Sequence, residues 1–250
     1  MGKLSGRIAV VTGAASGIGR GCAELFASEG ATVVVADLQE EAGREIAEAI
    51  GGSFEHVDVG EPASVEAMIG HAAERHGRID ILMNNAGIDG AQANTADSSL
   101  ENWDRVLAIN LNGVYYGMKY VLPHMIEQKG GVILNTASTV GLNALGAMPA
   151  YSASKAGVIH LTKAVAIENA LHRIRANAIC PSVVLSPLLE NFMANTPDPA
   201  GARQGFEMLN PLPGMVTIEA VAKSALFLVS DDSEFITAVA LPIDGGYTAR

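Results

Sequence analysis

Short apolar runs and stretches of helical periodicity alternate along this chain from its first residues. The runs at 8–11, 32–36, 54–57, 79–83, 132–136, 175–179 and 238–243 have the length of buried strands, and most are rich in valine and isoleucine. Helical patterns occupy 17–28, 40–50, 64–76, 103–128, 151–171 and 219–229, and Trp103 with Leu100, Val106 and Leu107 fits a helix packing face. Such alternation predicts stacked βαβ units, because parallel strands are joined by long crossovers and a helix is what fills them. The expected fold is therefore α/β with a seven-stranded parallel sheet, in one domain over 1–250.

One segment breaks the rhythm. Residues 186–214 contain Pro187, Pro197, Pro199, Pro211 and Pro213, with Leu188, Leu189, Phe192 and Met193 among them. A connection of that length, placed after the carboxyl end of a strand where open α/β sheets bind ligands, is expected to be a lid.

Composition narrows the picture. The chain is 49% hydrophobic and 17% charged, and no stretch reaches the ~20 apolar residues of a membrane span. It is expected to be soluble. Met1 to Arg7 leads into the first strand without the apolar region and cleavage site of a signal peptide, so a cytoplasmic location is expected. A net charge of −11 disfavours nucleic acid, whose phosphates require lysine and arginine. Cys22 and Cys180 are too few for a disulfide framework, and they read as small buried thiols. The histidines His56, His71, His76, His124, His160 and His172 form no H-x-x-x-H or H-E-x-x-H pattern, so no metal is expected.

The candidate chemistry lies at two places. Thr12-Gly13-Ala14-Ala15-Ser16-Gly17-Ile18-Gly19 ends a strand in glycines and opens a helix, which exposes backbone N–H groups suited to a pyrophosphate. Asp37 ends the next strand, where a carboxylate can accept from the adenine-ribose hydroxyls and repel a 2′-phosphate. This favours NAD over NADP. The second place is Tyr151-Ser152-Ala153-Ser154-Lys155. Residues i and i+4 share a helix face, so the Lys155 ammonium is expected beside the Tyr151 phenol, lowering its pKa toward neutrality for general acid/base work.

These motifs stand in the order of a known family. The T-G-x-x-x-G-I-G turn runs from Thr12 to Gly19, an Asn-Asn-Ala-Gly motif from Asn84 to Gly87, then come Asn110 on a helix, Ser138 after a strand, and the Tyr151/Lys155 pair. Nearly the whole chain thereby resembles the short-chain dehydrogenase/reductases. The segments 135–138 and 244–249 are similar to those of its bacterial NAD-dependent cyclic-alcohol dehydrogenases. The resemblance implies a Rossmann-like, doubly wound sheet and a homotetramer. It implies cofactor contacts from Gly13, Ser16, Gly17, Ile18, Gly19, Asp37, Leu38, Asp58, Val59, Asn85, Ala86, Gly87, Tyr151, Lys155, Pro181, Val184 and Ser186. It also implies a catalytic set of Asn110, Ser138, Tyr151 and Lys155. In that set Ser138 holds the substrate oxygen, Tyr151 transfers the proton, Lys155 also binds the nicotinamide ribose, and Asn110 holds a water linking Lys155 to solvent. The terminal Asp244-Gly245-Gly246 segment is implied to support subunit contact and the floor of the site. Ser182 stands where the family has glycine; a backbone of positive φ there would not suit serine.

The resulting expectation is an NAD-dependent oxidoreductase that interconverts a secondary alcohol and a ketone. Leu142, Leu145 and Met148, with the apolar residues of the lid, predict a small, uncharged, mainly apolar or cyclic substrate. A 3-oxoacyl-carrier-protein reductase has the same catalytic set, although Glu190, Asp198 and Glu207 outweigh Arg203 where an acidic carrier would dock. A non-catalytic NAD(H)-binding sensor is the alternative of another class, and such proteins typically lose the tyrosine or the lysine.

Overall fold

In the computed structural model the described residues are 2–194 and 196–249, excluding the side chains of Pro187, Leu188, Asn191 and Phe192. Two of the four apolar lid side chains predicted above, Leu188 and Phe192, therefore lie outside the described residues. In chain order the elements are β1 (Ile8–Thr12), α1 (Gly17–Ser28), β2 (Thr32–Asp37), α2 (Glu40–Ala49), β3 (Ser53–His56), α3 (Pro62–His76) and β4 (Ile81–Asn84). They continue with α4 (Leu100–Leu107), α5 (Gly113–Gln128), β5 (Gly131–Thr136), α6 (Pro149–Asn169), β6 (Ile174–Pro181) and β7 (Val184–Leu185). The last are α7 (Pro187–Ala194), α8 (Pro199–Glu207), β8 (Val216–Thr217), α9 (Ile218–Val229) and β9 (Ala240–Ile243).

Seven strands form one parallel sheet in the order β3-β2-β1-β4-β5-β6-β9, as the alternation predicts. Both faces are covered. Val10 of β1 packs with α3, α5 and α6 residues such as Met68, Val114 and Val158, while its neighbours Ala9 and Val11 pack on the other face with Phe26 and Val221. This two-sided burial is why the strands read as continuous apolar runs. The strand order reverses between β1 and β4, and the crevice at their carboxyl ends is where such sheets bind ligands.

The structure departs from the sequence expectations in four places. Residues 103–128 are not one uniform helix: a π-helical turn, Ala108–Asn112, separates α4 from α5. The 186–214 segment holds two helices that its prolines concealed. Pro187 and Pro199 each occupy a first helical position, where the missing N–H is no loss, and Asp198 caps α8 by accepting from Gly201 N at 3.0 Å. A two-stranded ribbon, β7–β8, was too short to show as periodicity. Finally, Leu100 and Trp103 were expected on a packing face, yet in the single chain they are 80% and 36% exposed and only Val106 of α4 is buried.

No helix among the described residues is long and apolar enough to cross a membrane.

Candidate active site

At the carboxyl end of β1, the chain turns through Gly13 and Gly17, at φ +64° and +54°. A side chain at Gly19 would come inside contact distance of the Gly13 carbonyl and 2.5 Å from Asn85 Nδ2, so glycine alone lets α1 start this close to the strand. The first turn of α1 has neither a side-chain cap, Ser16 Oγ accepting from none of its N–H groups, nor an acidic residue, and the Cβ direction of Gly17 meets no protein atom. Uncapped N–H groups over such a gap fit a pyrophosphate. Ile18 packs its side chain into the core under this turn.

Polar side chains hold the turn from three sides. Buried Asp37 accepts from Ala15 N and from Gln39 N, both at 2.9 Å. It thus joins the glycine turn to the end of β2, and each of its two oxygens keeps capacity to accept from another donor. Thr12 Oγ1 accepts from Asn85 N at 2.9 Å and Ala86 N at 3.1 Å. The Asn85 amide donates to Thr12 O at 3.1 Å and accepts from Thr136 Oγ1 at 3.1 Å. Asn85 therefore cross-ties β1, β4 and β5, a duty the sequence did not reveal. Beneath it, Asn84 donates to Asn135 and Asn135 to Thr162, each at 2.8 Å, across the paired register of β4 and β5.

Of the residues expected beside an adenine, Leu38 is 59% exposed, Val59 is buried and Asp58 lies between those extremes. Asp58 Oδ1 accepts from Gly60 N at 2.9 Å, and Val59 is buried against Gly113, whose Cβ would lie 2.9 Å from the Val59 carbonyl.

The catalytic candidates converge from β5, the π turn and α6. Ser138 follows β5 and is buried; its Oγ accepts from Val140 N at 3.2 Å, which leaves its proton to donate. The turn after it can lie on α6 because of Gly141, where a Cβ would fall 2.6 Å from the Lys155 backbone. Tyr151 and Lys155 are on α6, with Lys155 Nζ 5.6 Å from the Tyr151 ring centroid and donating to Thr136 O at 2.8 Å. Asn110 is fully buried in the π turn: its Oδ1 accepts from Ile88 N and its Nδ2 donates to Ile88 O, each at 2.8 Å. Its amide thus clamps the segment after Gly87, where a Cβ would lie 3.2 Å from Asn110 Oδ1 and 3.5 Å from Lys155 Nζ.

The electrostatics correct one expectation. Burial, with a smaller contribution from Asp89, pushes the Tyr151 phenol up to about 12, while a hydrogen bond with Ser138 pulls the other way. Burial likewise brings Lys155 down to about 8, against the attraction of Asp89. The helix spacing does bring lysine and tyrosine together, but desolvation outweighs charge attraction in the protein alone. The sequence reading also missed Asp89 and the Thr136 carbonyl. Cys180, a buried thiol as expected, sits within electrostatic reach of Lys155 and is pushed up to about 12 by burial.

On the far side, Pro181 ends β6 and Val184 pairs with Val216. Ser182 is not at positive φ; its N–H donates to Ile243 O at 3.1 Å and its hydroxyl to buried Asn210 at 3.2 Å, so serine fits the usual glycine position. Ser186 Oγ accepts from Leu189 N at 3.3 Å at the start of α7, leaving its proton for a ligand. The floor is closed by Asp244, which accepts from Gly246 N at 2.9 Å and Thr248 N at 2.8 Å, and by Leu212 N donating to Gly245 O at 2.9 Å.

A family model described as enoyl-(acyl carrier protein) reductase matches residues 13–248. The chain is 36% identical to a cyclohexanol dehydrogenase of Acinetobacter sp. (strain SE19), over 99% of this chain and 97% of that protein. The chain belongs to the short-chain dehydrogenase/reductase family. Its fold superposes on the crystal structure of levodione reductase with a TM-score of 0.91, at 36% identity and 98% and 99% coverage of the two chains. It superposes equally, at 0.91, on a 3-ketoacyl-(acyl-carrier-protein) reductase from Brucella melitensis complexed with NADH, at 35% identity and 98% and 99% coverage. Short-chain dehydrogenase/reductases are oxidoreductases that work with a nicotinamide cofactor, and this chain is one of them.

Proposed function

We propose that this protein is a cytoplasmic, homotetrameric, NAD-dependent enzyme that interconverts small, neutral, mainly apolar or cyclic secondary alcohols and their ketones. The observation that carries this reading is the convergence of Ser138, Tyr151 and Lys155 beside a turn fitted to a dinucleotide, below a loop with exposed Leu142 and Leu145.

When bound, the reduced nicotinamide supplies hydride to the carbonyl carbon. The chain does the rest. Ser138 directs its proton to the substrate oxygen, where negative charge grows. Tyr151 gives that oxygen its proton, and a phenol held protonated by burial is in the correct state for ketone reduction. Lys155 keeps a positive charge behind the ring at neutral pH and would also hold a ribose hydroxyl of the bound cofactor. Asn110 holds Ile88, and with it the floor of the nicotinamide site around Gly87.

Asp37 supports NAD over NADP, because a buried carboxylate would face a 2′-phosphate with no basic residue at Leu38 or Gln39 to offset it. The tetramer reading is supported by exposed apolar side chains on α4, α5, α6 and the turn that follows α6: Leu100, Trp103, Tyr115, Ile167 and Leu171. The small residues Gly113, Gly117 and Ala166 do not serve such an interface, since they face the core; a side chain at Gly117 would collide with Asn84.

A carrier-protein reductase is the second reading, favoured by the Brucella neighbour. Initial rates with NAD and NADP across cyclic, linear and aryl secondary alcohols, with the reverse rates on acyl thioesters, separate the two. Neutral cyclic and aryl substrates with NAD are expected to be fastest; faster turnover of thioesters with NADPH would reverse the assignment.

A further inference from the structure

Residues 88–93 form a strap that leaves the Asn84–Gly87 turn and runs to the loop that precedes Tyr151. Three elements hold it. Asn110 grips Ile88 through both amide atoms. Asn102 of α4 does the same to Ala91, accepting from its N at 2.7 Å and donating to its O at 3.3 Å. Ala93 N donates at 2.9 Å to the carbonyl of Ala147, in the loop that carries Leu142, Leu145 and Met148. Between the clamps Gly90 takes φ +74°, and a Cβ there would lie 2.5 Å from Val106.

Asp89 projects from this fixed strap. It is exposed, and among the described residues it takes part in no hydrogen bond or ion pair; its charge acts on Tyr151 and Lys155 instead. Lys155 is buried and bonded to Thr136. An incoming molecule therefore meets the carboxylate before it meets the cation.

We propose that Asp89 is a specificity-determining residue, a fixed negative charge at the mouth that admits neutral carbonyl compounds and turns away those bearing a carboxylate or phosphate near the carbonyl. This rests on the secondary-alcohol reading and deepens it. The backbone carrying the carboxylate is clamped on both sides, at Ile88 and Ala91, and an aspartate side chain is short, so its charge stays near one place and acts within the ~8–10 Å over which salt leaves a surface charge unscreened.

The test compares Asp89→Asn and wild type on 4-oxocyclohexanecarboxylate and its methyl ester, as the ratio of kcat/KM values with NADH. The same ratio is read without turnover from the dissociation constants of cyclohexanecarboxylate and cyclohexanecarboxamide for the NADH-loaded protein. Wild type is expected to prefer the neutral member of each pair by at least about tenfold, the factor corresponding to about 1.4 kcal/mol. Asp89→Asn should erase most of that preference, read as a ratio so that any change common to both members of a pair cancels, and Asp89→Lys should favour the anion. A preference that is absent in wild type, that survives both substitutions, or that is unmoved while both substrates lose equally would overturn the proposal. Inert neutral ketones with an intact binding ratio would instead overturn the secondary-alcohol reading alone.

Discussion

The two sides of the site are built by different means. Around the glycine turn, Thr12, Asp37, Asn85 and Thr136 each hydrogen-bond to backbone or to one another, so cofactor-side geometry is held by directional contacts inside the sheet's core. Around residues 142–148 and 186–214 the walls are apolar, partly exposed, and carried on loops and short helices. Directional contacts tolerate almost no change in position, whereas apolar walls fix only volume and polarity. The first side suits one invariant ligand; the second suits a range of related ones.

The largest effect is expected where the two sides meet. Tyr151→Phe removes the proton donor but keeps the ring, so kcat should fall by roughly 10²–10⁴ while NADH still binds, as stopped-flow and fluorescence titration would check. Retention of more than about a tenth of the activity would remove Tyr151 from its role.

Gly19→Ala strikes the directional side. Its methyl would collide with the Gly13 carbonyl, and the resulting shift should cost about 1–3 kcal/mol in denaturant unfolding and weaken NADH binding. A methyl added at Gly146, where no protein atom lies within 4 Å, is the matched control on the apolar side and should leave both unchanged.

Asp37→Ala should cut the preference for NAD over NADP by about tenfold or more, corresponding to about 1.4 kcal/mol. It should also lower stability, because the buried Ala15 N–H loses its acceptor. Discrimination that survived intact would show that the carboxylate only braces the turn.

A pH effect follows from Lys155. Its pKa in the folded protein is about 8, against 10.5 ordinarily, so between those values the unfolded chain binds more protons than the folded one. Stability should therefore contain a contribution that rises with pH across that window and is absent below it. Urea unfolding of wild type and Lys155→Met from pH 7 to pH 10 would show it as a difference in slope; parallel curves would contradict it.

The smallest effect is expected at the apolar side. Leu145→Ala opens a wall that is already 47% exposed, so it should alter kcat/KM between ketones differing by one methylene by less than the ~1–3 kcal/mol of a closed pocket, with no change in NADH affinity.

The sequence alone determined the sheet. Seven apolar runs separated by helical periodicity leave few ways to bury both faces, and all seven strands pair in parallel as that demands. It also marked the glycine turn and the Tyr151/Lys155 spacing, because a tight turn and an i, i+4 pair are local properties. It did not disclose α7 and α8, since prolines at first helical positions look like breakers to a local reading. It misjudged the Tyr151 pKa, because desolvation depends on everything packed around a group, and spacing reports only one neighbour. It was silent on Asp89 and the Thr136 carbonyl for the same reason. Asn110, Asn102 and Ala147 come from distant parts of the chain, and only the folded structure brings them to the strap that holds Asp89 at the mouth.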